Sequence, residues 1–464
     1  MAAQSKSPIL RALASLKLAV VVIIAMALLI AWGTIVESRY QDAWRAKKEV
    51  YQSIWMYLVF VVFTVNLAAV LVDRWPWKRR HLSFVLAHFG IIILIFGALV
   101  TSQFGLDGTL RLAVLGSSRY VYLPESRFTI WRSVDGQKFE ALVDQEVDFY
   151  RSAPSPEDPI RLPLGGSETL ELLEWQPYGL LDRKIVRSQS SWARPAIQFS
   201  LKNNFVQVSD WLIQTTTNRM ATYDLGPLRV HFGDEFIPTY FDKNEIYLQA
   251  QEEGIKYVLY RSKDNKTLEG HLRVGEAVQT GWMGLELRIL QYFPKAEEIH
   301  NYTFLNYKTD LTQSVVKVRF RGKDYWVGQH DVTKLYTDQE VYFISYGQKR
   351  FDLGFELFLK EFRMDRYPGT QRAASYQSIV ELPEKVDHVI SMNEPLKYRG
   401  FTFYQASFQQ GPDGTPVASI LSVNYDPGRW LKYLGSLLVS LGVIILFIDR
   451  RKQSRAQLGP KNQP

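Results

Sequence analysis

Four runs of apolar residues set the first limit on this chain, at about Leu16–Ile35, Trp55–Val72, His81–Val100 and Leu431–Ile448. Each comes near the roughly 20 residues that a bilayer core demands of a helix. In hydrocarbon every backbone N–H and C=O must be satisfied within the segment, so these runs are predicted to be helices. Three lie in the first 102 residues and one near the end, with a polar stretch of about 325 residues between. The mean hydropathy of −0.13 thus averages two unlike materials. The predicted fold is a membrane protein with four transmembrane α-helices and a large, mostly β extracytoplasmic domain inserted between helices 3 and 4. The expected division is 1–102 for the first membrane region, with helices at about 16–35, 55–72 and 81–100. The β-rich domain follows at 103–429, then 430–464 with a helix at about 431–448 and a cytoplasmic tail.

Charge assigns the sides. Residues 1–102 hold eleven Lys/Arg and four Asp/Glu, and residues 430–464 hold six and one. The flanks therefore carry +12 of a formal +8, and the 103–429 stretch carries −4. Basicity concentrated at helix ends does not describe a nucleic-acid surface, and no nucleic-acid partner is expected. Lys6, Arg11 and Lys17 precede the first span, Arg74, Lys78, Arg79 and Arg80 separate the second and third, and Arg450, Arg451, Lys452, Arg455 and Lys461 follow the fourth. By the positive-inside rule these segments are cytoplasmic and the large domain faces outward. The loop between the first two spans dissents weakly, with Arg39, Arg45, Lys47 and Lys48 against Glu37, Asp42 and Glu49. The first span is expected to be retained, being longer than a signal-peptide core and lacking a small-x-small cleavage site before Glu37.

The third span alone carries histidine. His81 and His88 stand seven residues apart in it, and an ionisable side chain in hydrocarbon points to an ion path, a proton relay, or a metal or haem ligand. Ordinary hydrogen-bonded packing is the structural alternative. At a 1.5 Å rise per residue, His88 lies roughly 10 Å deeper than His81. Two axial nitrogens on one iron are only about 4 Å apart, so the pair cannot share an iron. A bis-histidine haem at this span would need its second ligand from another chain. Gly90 and Gly97, and Gly435 and Gly442 on the fourth span, recur at seven residues on single helix faces that allow close helix approach. His88 sits roughly 160° around from Gly90, so the histidine and glycine faces are distinct.

The intervening stretch alternates apolar and polar residues, as in Phe205–Ile213, Gly284–Pro294, Ser314–Phe320 and Gly354–Phe362, which predicts half-buried strands. Lys263–Lys266 and Gly411–Thr415 read as turns. A faint recurrence at Gly226, Gly284 and Gly354 fits either related β-units or a general habit of glycine before a strand. His231, His271, His300, His330 and His388 show no metal-ligand spacing, and no nucleophilic triad or phosphate loop is present, so no catalytic residue is assigned. The chain has no cysteine, which excludes disulfides, zinc–thiolate sites and thiol catalysis by its own residues.

The Leu16-Lys-Leu-Ala start, the basic loop before His81-Leu-Ser-Phe-Val-Leu-Ala-His88-Phe-Gly90, and Gly97–Ser102 together make a pattern with Asn393–Gln405 and the Asp426-Pro-Gly428 ahead of the last span. In these residues the chain resembles the ResB/CcsB family of cytochrome c biogenesis proteins. The resemblance implies a subunit of the System II cytochrome c synthase in the bacterial cytoplasmic (inner) membrane, working with a CcsA/ResC-type multi-span partner. It implies haem b as the group held or moved, and apocytochrome c as acceptor. His88 matches the family's membrane haem ligand and is the expected iron-binding residue; His81, at the basic edge, is the weaker candidate for cofactor binding. The partner's tryptophan-rich haem-handling segment is absent, so the chain is expected to be a non-autonomous subunit of the haem lyase. The alternative is a membrane-anchored scaffold for apocytochrome or partner, without haem ligation. An electron-transfer cytochrome is weaker, because only one span carries histidine.

Overall fold

A computed structural model describes residues 7–457 apart from 135–137, 166–167, 190–192, 215–219, 227, 234–242, 252–253, 330, 338–339, 371 and 412–414. Lys6, Lys461, His330 and most of the turn expected at Gly411–Thr415 therefore lie outside the described residues.

Among the described residues there are six α-helices, α1 (Pro8–Leu13), α2 (Leu16–Tyr40), α3 (Ala43–Ala46), α4 (Ile54–Asp73), α5 (Leu82–Phe104) and α6 (Arg429–Gln457). Four, namely α2, α4, α5 and α6, are long and apolar enough to cross a membrane. Their ends follow local chemistry. Ser15 Oγ accepts Leu18 N–H at 3.2 Å to start α2, and Ser53 Oγ accepts Met56 N–H at 3.3 Å to start α4. Gln41, at φ 53°, turns the chain out of α2. The helices outrun the apolar runs, since α2 continues five residues past Ile35 and α6 nine past Ile448. The third begins one residue late, leaving His81 in a 3₁₀ turn, Arg79–His81, ahead of α5.

Glycine decides which helices touch. A Cβ on Gly90 would stand 2.8 Å from Gly435 O, and one on Gly442 would stand 2.8 Å from Ser83 O. These close approaches run antiparallel along α5 and α6, which makes the glycine faces one intrachain seam, the ordinary packing use of such residues. Between α1, α2 and α4 the fit is polar. Asn66 of α4, 1% exposed, donates to Leu13 O at 2.6 Å and Ser15 O at 3.3 Å where α1 meets α2. Leu13 O ends α1, where intrahelical partners run out, whereas Ser15 O also accepts Ala19 N–H at 3.2 Å.

All β structure lies between α5 and α6 in chain order, in sheets of ten, eight and five strands among the described residues. The ten-stranded sheet is the one joined to the helices. Strand Leu106–Ala113 follows α5 after Gly105 alone, and it pairs antiparallel with Pro416–Tyr425, which leads through Asp426-Pro-Gly428 into α6. The burial of Leu110 and Leu112 between exposed neighbours is the period-two pattern read from sequence. One core fills the ten-stranded sheet, around Leu110, Leu357, Phe403 and Leu421. A second joins that sheet to the eight-stranded one through Phe128, Ile344, Leu172 and Val316. A third joins the eight- and five-stranded sheets through Phe199, Leu287, Phe232 and Leu248. Each such buried side chain contributes roughly 1.5–3 kcal/mol, so the chain of cores is held without covalent staples.

Three expected strands shift at their ends. Phe205 is 93% exposed in a turn where Asn203 Oδ1 accepts the N–H of Phe205 and Val206, and the strand starts at Gln207. The strand expected to stop at Pro294 runs from Glu286 to Phe304 and absorbs the proline at a bulge between Phe293 and Ala296. That at Gly354 belongs to Val341–Arg366, with Gly354 at φ 75° inside an irregularity. The recurrent glycines at 226, 284 and 354 precede or interrupt strands of three different sheets, and all have positive φ. Local turn geometry accounts for the likeness.

Candidate functional site

On α5 the side chain of His88 is held from one turn below. Its Nδ1 lies 2.9 Å from Phe84 O, and the two rings lie against one another, centroids 3.9 Å apart and planes tilted by 35°. A carbonyl oxygen only accepts, so Nδ1 carries the hydrogen and Nε2 presents its lone pair. That is the tautomer and the backbone support typical of an imidazole that binds a metal. His88 is half-buried, and the glycine seam at Gly90 and Gly97 is covered by α6. Phe84 continues the column, for the Arg74 guanidinium carbon lies 3.8 Å from its ring centroid.

His81 is not brought to the same place. Its Nδ1 lies 3.4 Å from Lys78 N and its Nε2 3.2 Å from Arg80 Nε, both donors, of which a neutral ring can accept one. Among the described residues no group of three or more His, Asp or Glu could hold a metal ion. An iron bound at His88 would draw its other donors from a porphyrin and from outside this set.

His231, His271 and His300 of the β region have structural partners, and His388 is exposed on the strand Asp387–Ser391. His231, 8% exposed, has Nδ1 2.9 Å from Thr222 Oγ1 and stacks on Tyr247, and burial beside Arg229 pushes it down to about 4. His300 is raised by Glu298, 3.2 Å from its Nε2. His271 meets Gln251 at 3.0 Å.

At the opposite end of the helices, the segment joining α2 to α4 presses into the β region. Asp42, 4% exposed, accepts hydroxyls from Tyr150 and Tyr178, both at 3.2 Å, and Trp44 N–H at 3.1 Å. Burial, with Asp42 beside them, pushes both phenols far above their ordinary value. Lys48 pairs with Asp148 at 2.9 Å and Arg45 with Glu49 at 2.8 Å, while Lys308 N donates to Tyr40 O at 2.8 Å. A cavity of about 450 Å³ opens here, with Trp44, Phe149, Trp175, Tyr346, Glu125 and Gln329 in its walls.

The Asn393–Gln405 motif forms part of the sheet edge. Leu396–Tyr398 and Phe401–Gln410 pair across a two-residue turn, Arg399–Gly400, in which both residues have positive φ. Phe403 is fully buried, and Gln405 joins Ser378 at 2.6 Å and Ser419 at 3.1 Å. The aromatic strand is second from the edge, not the edge strand itself. Phe401 and Leu106 both pair with Tyr425, so the Arg399–Gly400 turn sits at the helix end of the sheet. The motif thus shapes the place where sheet becomes helix.

Sequence reasoning missed Asp42, Asn66 and the Arg74–Phe84–His88 column. A polar residue inside an apolar run was an available signal for Asn66. Asp42 and Arg74 sit in loops whose charges looked alike.

Comparison with known proteins reaches one of the motifs, Asn393–Gln405. Residues 319–420 match the model of the ResB-like family. A 121-residue stretch, 25% of the chain, is 36% identical to Protein NrfI of Wolinella succinogenes and covers 13% of that protein's length. Over those residues the chain is similar to the ResB-like family, on a match centred in the ten-stranded sheet that carries α5 and α6.

Proposed function

We propose that the chain is a subunit of a membrane haem-transfer and cytochrome c synthase complex, with His88 supplying one axial nitrogen to haem. The similarity of residues 319–420 to the ResB-like family supports the broader role in cytochrome c biogenesis. The observation that carries the finer reading is the Nδ1 bond of His88 to Phe84 O, which leaves Nε2 with its lone pair on a helix face other than the glycine seam. Haem is the cargo, and this chain's residues bind and orient it. The second axial ligand and the attachment chemistry belong to a CcsA/ResC-type multi-span partner, and apocytochrome c is the acceptor.

The bacterial cytoplasmic membrane fits the four apolar helices. The β region and the α2–α4 segment share one end of the helices, while the 74–81 loop lies at the other. With the unpaired cations of that loop in the cytoplasm, the β region is extracytoplasmic. The 450 Å³ cavity favours a second role, capture of a polypeptide segment against the outer domain, which holds even without haem ligation.

The test is the visible spectrum of the chain purified with its partner, wild type beside His88→Ala. Loss or shift of the Soret and reduced α bands, restored by added imidazole, is expected. An unchanged spectrum would leave a scaffold and capture subunit.

A further inference from the structure

We infer that Arg74 is the carboxylate-binding residue of the haem site, pairing with a haem propionate while His88 holds the iron. This rests on the reading of His88 as axial ligand. Arg74 follows the last turn of α4, where its N–H donates to Val70 O at 3.3 Å, and its side chain lies over Phe84, whose own ring lies against His88. The two ring distances of 3.8 and 3.9 Å place the guanidinium carbon within about 8 Å of the imidazole.

The stack fixes which part of the guanidinium is used. At 3.8 Å from the Phe84 ring centroid the cation lies over the ring, and a phenyl ring takes up none of its five N–H donors as a conventional hydrogen-bond acceptor would. Among the described residues Arg74 forms no ion pair. An in-plane fork of donors matches a carboxylate bidentately, which a lysine ammonium cannot do. Arg74 is exposed at a helix end, where a cation reaches water and headgroups, and its open donors can take an anion supplied from outside the chain.

Haem meets both demands. It offers iron to an imidazole nitrogen and carries its two carboxylates on one edge of the macrocycle. The cations Lys78, Arg79 and Arg80 stand at the same end of α5 and favour the orientation with that edge toward the 74–81 loop. The other anion available there is a lipid phosphate, and the experiment separates the two.

The full-length chain in nanodiscs is titrated with ferric haem and with haem dimethyl ester, which lacks the charged carboxylates, and read by the Soret difference spectrum. Wild type, Arg74→Ala, Arg74→Lys and His88→Ala are compared in zwitterionic and in anionic lipid, each first checked for fold by circular dichroism. Wild type is expected to bind haem about tenfold more tightly than the ester. Arg74→Ala should erase that preference without moving the Soret position, and Arg74→Lys should fall between. Equal loss for haem and ester, or a loss that depends on anionic lipid alone, overturns the propionate role. If His88→Ala keeps the wild-type spectrum, or wild type binds no haem, the axial-ligand reading fails and this inference with it. A retained His88 signature without ester discrimination sinks the Arg74 role alone.

Discussion

The two polar segments that cap the helices at opposite ends have similar cation content and opposite physics. Between α2 and α4, Arg45 and Lys48 are tied to Glu49 and Asp148, Arg45 also lies 3.6 Å from the Tyr40 ring centroid, and Asp42 is buried under two tyrosine hydroxyls. Between α4 and α5, Arg74, Lys78, Arg79 and Arg80 are exposed and form no ion pair among the described residues. A count of Lys and Arg treats these loops alike. The count does not carry this difference, that Arg45 and Lys48 have anionic partners within the chain and the cations of the second loop have none among the described residues.

If the end that carries the β region is the rigid one, its tightest contact should suffer most. A Cβ on Gly428 would stand 2.0 Å from Gly97 O, a backbone atom with nowhere to go. Gly428→Val is expected to cost more than about 3 kcal/mol and to abolish monodisperse protein in size-exclusion chromatography. A well-behaved variant would mean that the junction yields.

Asp42→Ala comes next. It strips two hydroxyls and a helix start of their acceptor, at a cost of roughly 2–4 kcal/mol, visible as a lower Tm. Asp42→Asn, which keeps an acceptor oxygen, should recover part of it.

Acid offers a milder probe of the same end. Burial would raise Asp426, but Lys432 at 2.7 Å and the Thr101 hydroxyl at 2.6 Å outweigh it and hold the carboxyl below its ordinary 3.8. The stabilisation is therefore full above that ordinary value and disappears as pH falls through the lower, folded one. Tm should drop more steeply below about pH 4 in wild type than in Asp426→Asn. Parallel curves would remove Asp426 from the account.

The smallest effect on stability belongs to the 74–81 loop. Replacing Lys78, Arg79 and Arg80 by Gln should move stability by no more than about 0.5 kcal/mol, yet increase the fraction of chains inserted upside down in a protease-protection assay. A large stability loss with unchanged orientation would reverse the comparison.

What could be read in the sequence follows the range of the interactions involved. Apolar runs, capping serines and the separation of His88 from the glycine face are local, and the helices form where those signals lie. Gly90, Gly97, Gly435 and Gly442 announced close packing, and the structure supplied their partner by pairing α5 with α6. Sheet membership could not be read so, because strands as distant as Leu106–Ala113 and Pro416–Tyr425 are joined by a register that neither encodes alone. Likewise, that Lys48 would find Asp148 and that Arg74 would lie over Phe84 depended on residues brought near only by folding.

The junction of α5 with its strand has a mechanical meaning. One residue separates the helix from Leu106, and eight successive pairs bind that strand to the one feeding α6. With no flexible linker in either leg, helix pair and strand pair form a stiff two-legged strut across the boundary between hydrocarbon and water. A load carried by the ten-stranded sheet therefore reaches α5 through Gly105 alone. The helix that carries His88 and the strand pair below it are thereby held as one piece.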